Sequence, residues 1–213
     1  MQEDVAFLRQ WLGQGSVNVF GMPFAGKDTQ CRKLAVFLKG EMLGGGEILR
    51  NSALPPDAKK VIDEGQLSPS DVYVRVVLPF LSQEKFDDKP LILSSVGRWY
   101  GEEQSVMQAT AAAGHPIRAA VLLTVPEEIA RTRHANLSAD GRGARADDAV
   151  EFFNTRLSEF RTKTMPVIEF YRNKDMLIEV DGNQPATAVS ETIIAKLLAY
   201  ARVHPAATEG PRS

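Results

Sequence analysis

The sequence has one cysteine, three histidines and no surplus of basic side chains. Cys31 alone cannot close an internal disulfide, so nothing in the sequence asks for an oxidising compartment. One cysteine and three scattered histidines cannot supply a zinc-type Cys/His set. Lys and Arg number 25 against 27 Asp and Glu, a formal charge of −2. A general binder of nucleic acid or membrane surfaces would need an excess of positive charge. No long apolar run is present, and the opening MQEDVAFLRQWLG carries acidic residues, so it reads neither as a signal peptide nor as a membrane span. Internal repeats and low-complexity linkers are also missing. These absences leave a soluble, cytoplasmic chain. Its 44% hydrophobic residues over 213 positions suffice for one domain with a real core.

What is present alternates between two periods. Residues 1–15 read as an amphipathic helical extension with Val5, Leu8 and Leu12 on one face. SVNVF (16–20), PLILS (90–94), IRAAVLLTV (117–125) and MLIEV (176–180) are compact apolar segments of the kind central parallel strands require. Between them lie helical stretches: one through Leu38, 55–65 opened by Pro and stopped by Gly65, and one from Ser68-Pro69 to about Leu81 with a bend at Pro79. Others are 102–113, one from Pro126, one from Asp147 bent near Pro166, and 186–202. The alternation predicts an α/β fold with a parallel sheet and ligands at the carboxyl ends of its strands.

The most specific motif is Gly21-Met22-Pro23-Phe24-Ala25-Gly26-Lys27-Asp28-Thr29. It follows a strand and opens a helix, the setting of a phosphate-binding loop. Glycines at both ends let backbone amides turn inward, the helix N-terminus favours negative charge, and Lys27 reaches toward phosphates. The competing reading is a Gly-rich turn into a helix. Asp28 stands where Ser or Thr usually ligates Mg²⁺; beside phosphate oxygens it needs a cation between, and Thr29 offers the hydroxyl from the next position.

With Gln30 added, GMPFAGKDTQ resembles the GxPGxGKGTQ opening of the adenylate kinases and related nucleoside monophosphate kinases. The likeness continues in order from about residue 16 to 200. GGGEILRN (44–51) resembles (S/T)(T/A)GD(L/M)LR, and IDEGQLSPSDVYVRVV resembles MDxGxLVPDEVV. SSVGRW (94–99) falls where the family has DGFPRT. GRGARADD (141–148) with Arg156 is similar to GRxDD…R, TKTMPVIEFY to TxPVIxYY, and VDGNQP to VDGxxP. The resemblance implies a P-loop NTPase-type three-layer αβα domain over 16–203 with a five-stranded parallel sheet. It also implies a helical NMP-binding insert at about 45–85, a short lid at about 134–146 without zinc, and a flexible tail at 204–213.

The resemblance further implies a reaction: ATP with Mg²⁺ and a nucleoside monophosphate giving ADP and a nucleoside diphosphate; the near-neutral charge and small size fit a monomer. Phosphoryl transfer needs positioned positive charge, and arginine's planar fork binds phosphate bidentately. Six arginines lie between 131 and 161. By resemblance, Arg133 (with Arg131 as its rival), Arg145 and Arg156 are lid-side phosphate clamps. They join Lys27 and Arg98 as catalytic residues, with Asp147 and Asp148 orienting the lid arginines. Leu137 occupies a further arginine position of the family, for which Arg142 could substitute. The donor would be held by Gly21, Pro23, Ala25, Gly26, Lys27, Asp28 and Thr29, with its base between Arg133 and the backbone near Gln184. The acceptor would be held by Gly45, Arg50, Leu67, Arg98, Glu102, Arg145 and Arg156.

Three departures bear on chemistry. Ser94 replaces the family's Mg²⁺-orienting Asp while Asp28 has appeared in the loop, which suggests that the carboxylate has moved from strand end to loop, with Asp28 and Thr29 as the Mg²⁺ residues. Glu102 stands where adenylate kinases have Gln. Ionised, it offers only acceptors, which fit the guanine edge better than adenine; the competing reading is a first-turn acid facing solvent. Gly45 lacks the Thr hydroxyl of AMP-specific relatives. The expected activity is a nucleoside monophosphate kinase acting on AMP by family likeness, or on GMP or another monophosphate from Glu102 and Gly45. The alternative is a catalytically impaired nucleotide-binding sensor of the same fold.

Overall fold

The computed structural model describes residues 2–68, 70–139 and 150–205. Five parallel strands run in the order β2-β3-β1-β4-β5: β1 (Ser16–Gly21), β2 (Glu41–Gly44), β3 (Leu91–Ser94), β4 (Ile117–Thr124) and β5 (Leu177–Asp181). Side chains alternate between the two faces, as the pleat demands. Val17, Val19, Ile92, Val121 and Val180 join one core with α2 (Lys27–Leu38) and α10 (Ala186–Val203). Phe20, Leu91, Leu93, Leu122 and Tyr171 join the other, with α6 (Glu103–Ala112) and α9 (Met165–Asn173). The result is the expected three-layer αβα arrangement.

On the first face, α1 (Gln2–Leu12) buries Leu8, Trp11 and Leu12 in the same core, so the N-terminal extension is built into the domain. Trp11 Nε1 donates to the His204 carbonyl at 2.7 Å, and His204 stacks on Tyr200 with ring centroids 4.0 Å apart. His204, expected in a flexible tail, is therefore tied down; residues 206–213 lie outside the described set.

β2 carries no period-2 apolar pattern, so hydrophobicity alone does not mark it as a strand. It exists because Glu41, Met42, Leu43 and Gly44 pair with residues 91–94 on an edge of the sheet. The insert between β2 and β3 contains α3 (Gly45–Arg50), α4 (Pro56–Asp63) and α5 (Ser70–Val76). The helix expected to reach Leu81 stops at Val76 and continues as a 3₁₀ turn over Leu78–Ser82, where Pro79 sits in the first turn. After β4 come α7 (Glu127–Ala139) and α8 (Val150–Glu159). The bend expected near Pro166 is a π-helical turn, Phe160–Thr164, that joins α8 to α9. Pro166 thus lies in the first turn of α9, where its missing N–H is not needed.

Candidate active site

Every strand points its carboxyl end at one rim of the sheet, so the loops that follow gather there. After β1, residues 22–26 turn into α2 with Gly26 as N-cap at φ 93°, a conformation open to glycine without cost. Among the described residues no side chain caps this helix, so its first amides are left as donors for an anion. Lys27, the first helical residue, has a side chain only 17% exposed. Burial, then the nearby Arg156 and Arg98, draw its pKa below the ordinary lysine value against the opposing pull of Asp28.

Asp28 lies 3.5 Å from the Lys27 ammonium and accepts a 2.6 Å hydrogen bond from Ser94 Oγ. Burial pushes its carboxyl up, but Lys27 and the Ser94 hydroxyl outweigh that and hold it below the usual aspartate range. The two departures noted in the sequence, a carboxylate gained at 28 and one lost at 94, are thus in direct contact.

The loop after β3 presents Arg98 and is held on several sides. Asn18, buried in β1, donates to the Val96 carbonyl at 2.7 Å and accepts from its amide at 3.1 Å. The Gly97 amide donates to the Tyr73 hydroxyl at 3.0 Å, and Thr164 Oγ1 donates to the Arg98 carbonyl at 3.4 Å. Trp99 Nε1 donates to the Ser68 carbonyl at 2.8 Å, and its ring lies under the Lys163 ammonium at 3.9 Å. Opposite, Glu159 accepts from the Leu67 amide at 3.0 Å and from Lys163 at 2.6 Å. Gly65, at φ 86°, packs where any Cβ would lie 2.9 Å from the Phe152 ring. The insert is therefore pinned to both the β3 loop and α8.

Between these walls lies a cavity of about 620 Å³. Gly21, Pro23 and Lys27 line it from the phosphate loop, Arg50 and Leu67 from the insert, Arg98 from the β3 loop and Arg156 from α8. Among the described residues, five cationic side chains face it, Lys59 being the fifth, against the carboxylates of Asp63 and Glu159. Lys27 and Arg98 are desolvated by burial among these cations, and such a surplus of positive charge suits an anionic occupant.

Other expected site residues fall elsewhere. Arg133 is not on the cavity wall: it donates to the carbonyls of Phe24 (3.4 Å), Ala25 (3.2 Å) and Gly182 (2.8 Å), stitching the phosphate loop to the loop after β5. Its rival Arg131 pairs with Glu127 and lies over the Phe153 ring, so Arg133 is the arginine brought to the loop. Gln184 is exposed beside Asp181, and Thr29 is exposed on the first turn of α2. Arg145, Arg142, Asp147 and Asp148, and the expected lid beyond Ala139, lie outside the described residues.

Glu102 does not face solvent, which corrects that reading: it is 5% exposed, and Oε2 accepts from the Trp99 amide at 3.2 Å. Burial pushes its carboxyl up despite the nearby Ser70 hydroxyl, Trp99 and Arg98. Gly45 is buried, and an added Cβ would lie 2.7 Å from the Tyr73 hydroxyl.

Sequence reasoning missed Asn18, Tyr73, Trp99 and Phe24. Asn18 was legible as a polar residue inside an apolar strand. Phe24 was legible as a bulky residue where the related motif has glycine. Tyr73 and Trp99 act through contacts that no local pattern signals.

A sequence model described as "Adenylate kinase" matches residues 19–176. An adenylate kinase of Cyanothece sp. is 30% identical over 180 residues, covering 82% of this chain and 91% of its own. One of Synechococcus sp. is 31% identical over 188 residues, covering 85% and 95%. One of Methanosarcina mazei is 27% identical over 215 residues, covering 87% and 100%. A phosphate loop, a five-stranded parallel sheet and a cation-lined cavity between insert and core are what these likenesses lead one to expect, and on them the chain belongs to the adenylate kinase family.

Proposed function

We propose that this protein is a nucleoside monophosphate kinase that transfers the γ-phosphoryl group of ATP to a nucleoside monophosphate. One observation carries the proposal. Lys27, Arg50, Arg98 and Arg156 come from four separate segments and converge on one cavity that opens from the phosphate loop. A single anion does not need four such cations on opposite walls, whereas a donor phosphate chain meeting an acceptor phosphate does. Lys27 and the α2 amides would hold the donor. Arg50 and Arg98 would hold the acceptor phosphate, and Arg156 would stand between them.

An acceptor phosphate oxygen attacks the γ-phosphorus while the bond to the β,γ-bridging oxygen breaks, leaving ADP. The attacking oxygen is already anionic, so no general base is required. The chain's work is alignment, charge neutralisation and exclusion of water. Arg133 contributes by fixing the loop backbone, and the 95–98 hydrogen bonds contribute by fixing Arg98.

Mg²⁺ fits the donor set in the loop: it takes one or two carboxylates, keeps several waters and uses substrate phosphates for the rest. Asp28, held ionised beside Ser94, would orient it, with Thr29 one residue on; when bound, the ion neutralises charge on the donor phosphates. Full Mg²⁺-dependent activity in Asp28→Gly would show that the carboxylate has no such role.

AMP is the acceptor best supported. The relatives are named adenylate kinases, and Glu102, the basis for considering GMP, accepts the Trp99 amide at Oε2 and is not among the residues that line the cavity. The test is ADP formation from ATP–Mg²⁺ with AMP, GMP, CMP, UMP and dTMP in parallel. AMP should be turned over fastest. Preferred turnover of GMP would return Glu102 to the base site, and tight ATP binding without any turnover would favour a sensor.

A further inference from the structure

Within residues 21–29, two positions have positive φ: Gly26 at 93° and Phe24 at 61°. Glycine adopts this region freely, but phenylalanine is disfavoured there and holds it only when its surroundings compensate. The compensation is the ring. It meets the His134 imidazole edge-on, centroids 4.8 Å apart, and lies 5.8 Å from the Phe153 ring. His134 and Phe153 are themselves 5.2 Å apart, so three rings close a triangle across the loop, α7 and α8. Both partners are buried, at 5% and 1% exposure, and give the ring fixed walls. On the backbone side, Arg133 donates to the carbonyls of residues 24 and 25.

We propose that Phe24 is a positioning residue of the donor site: its ring, seated on His134 and Phe153, locks the phosphate loop in one shape. This rests on the reading of that loop as the ATP site. A glycine at position 24 would leave the loop many conformers, and ATP would have to order them on binding. The ring makes that ordering part of folding. Turned onto His134 and Phe153, it acts through the backbone amides that follow it.

Phe24→Ala removes the anchor and keeps a residue that resists positive φ, so the loop leaves its binding shape. ATP affinity, measured by calorimetry without acceptor, should fall about tenfold, the cost of re-ordering one residue. Phe24→Gly also loses the anchor but accepts positive φ, and should lose less. Phe153→Leu tests the same contact from α8 with residue 24 intact, and should weaken ATP in the same direction. In all three the KM for the monophosphate should stay unchanged while that for ATP rises, a split that general destabilisation would not give.

Wild-type ATP affinity in Phe24→Ala would overturn the role of Phe24 and leave the kinase reading standing. So would a parallel loss of both substrates that tracks the melting temperature. A wild-type protein that binds no ATP would overturn both.

Discussion

Gly45 and Tyr73 are predicted to be coupled, and the structure sets the size of the effect. A Cβ at position 45 would lie 2.7 Å from the Tyr73 hydroxyl and 3.0 Å from its ring. Tyr73 is 3% exposed and accepts the Gly97 amide, so it cannot retreat without breaking that bond. Overpacking of this kind costs about 1–3 kcal/mol, and a lost buried hydrogen bond adds about 1 kcal/mol. Gly45→Ala should therefore destabilise by about 2–4 kcal/mol, lowering the melting temperature by about 4–16 °C for a chain of this size. Urea unfolding of Gly45→Ala, Tyr73→Leu and the double variant isolates the contact. The double variant should be less destabilised than the sum of the singles by about 1 kcal/mol or more. A Gly45→Ala protein within about 0.5 kcal/mol of wild type, the range of ordinary surface substitutions, would refute the claim that Tyr73 fills the space beside residue 45.

Three further outcomes follow from buried or paired groups. Asn18→Ala leaves the Val96 amide and carbonyl without partners; it should cost about 2–5 kcal/mol and raise KM for the monophosphate more than for ATP, since Arg98 is two residues away. His204 has its pKa raised above 6.5, first by Asp175 and then by the Tyr200 carbonyl. The contribution of this pair is therefore complete below the unfolded value and is lost as pH rises through the folded one. Asp175→Asn should flatten that part of the melting-temperature profile between about pH 6 and 8; an identical profile would contradict it. Cys31 is fully buried, and burial pushes its thiol up to about 12, so it should resist thiol reagents in the native protein at pH 8 and react only on unfolding.

How far the sequence alone reached depends on whether a feature is local. β1, β3 and β4 announce themselves because buried parallel strands are apolar runs, the edge strand β5 because LIEV is still mostly apolar, and the phosphate loop because its glycines and lysine occur at fixed spacing. β2 does not, because EMLG is a strand only by virtue of its neighbour. The cavity arginines 50, 98 and 156 were legible through motif order. The work of Arg133 on loop carbonyls was not, because a guanidinium serves backbone and phosphate equally well. The exchange at Ser94 and Asp28 is legible in the sequence as a carboxylate moved around one expected ion; their direct 2.6 Å hydrogen bond is not, because it depends on how the strand end meets the loop. Glu102 was judged from the chemistry of its side chain, but its position was decided by the Trp99 amide three residues back.

On the proposed function, one cavity aligns two phosphates for direct transfer. ³¹P NMR of the products formed from ATP–Mg²⁺ and AMP, with Lys27→Met alongside, tests it most directly. Only ADP signals should appear, with no inorganic phosphate, and removing the Lys27 ammonium should slow their formation by about 10²–10³-fold or more. Release of inorganic phosphate in place of a second ADP, or an undiminished rate in Lys27→Met, would contradict it.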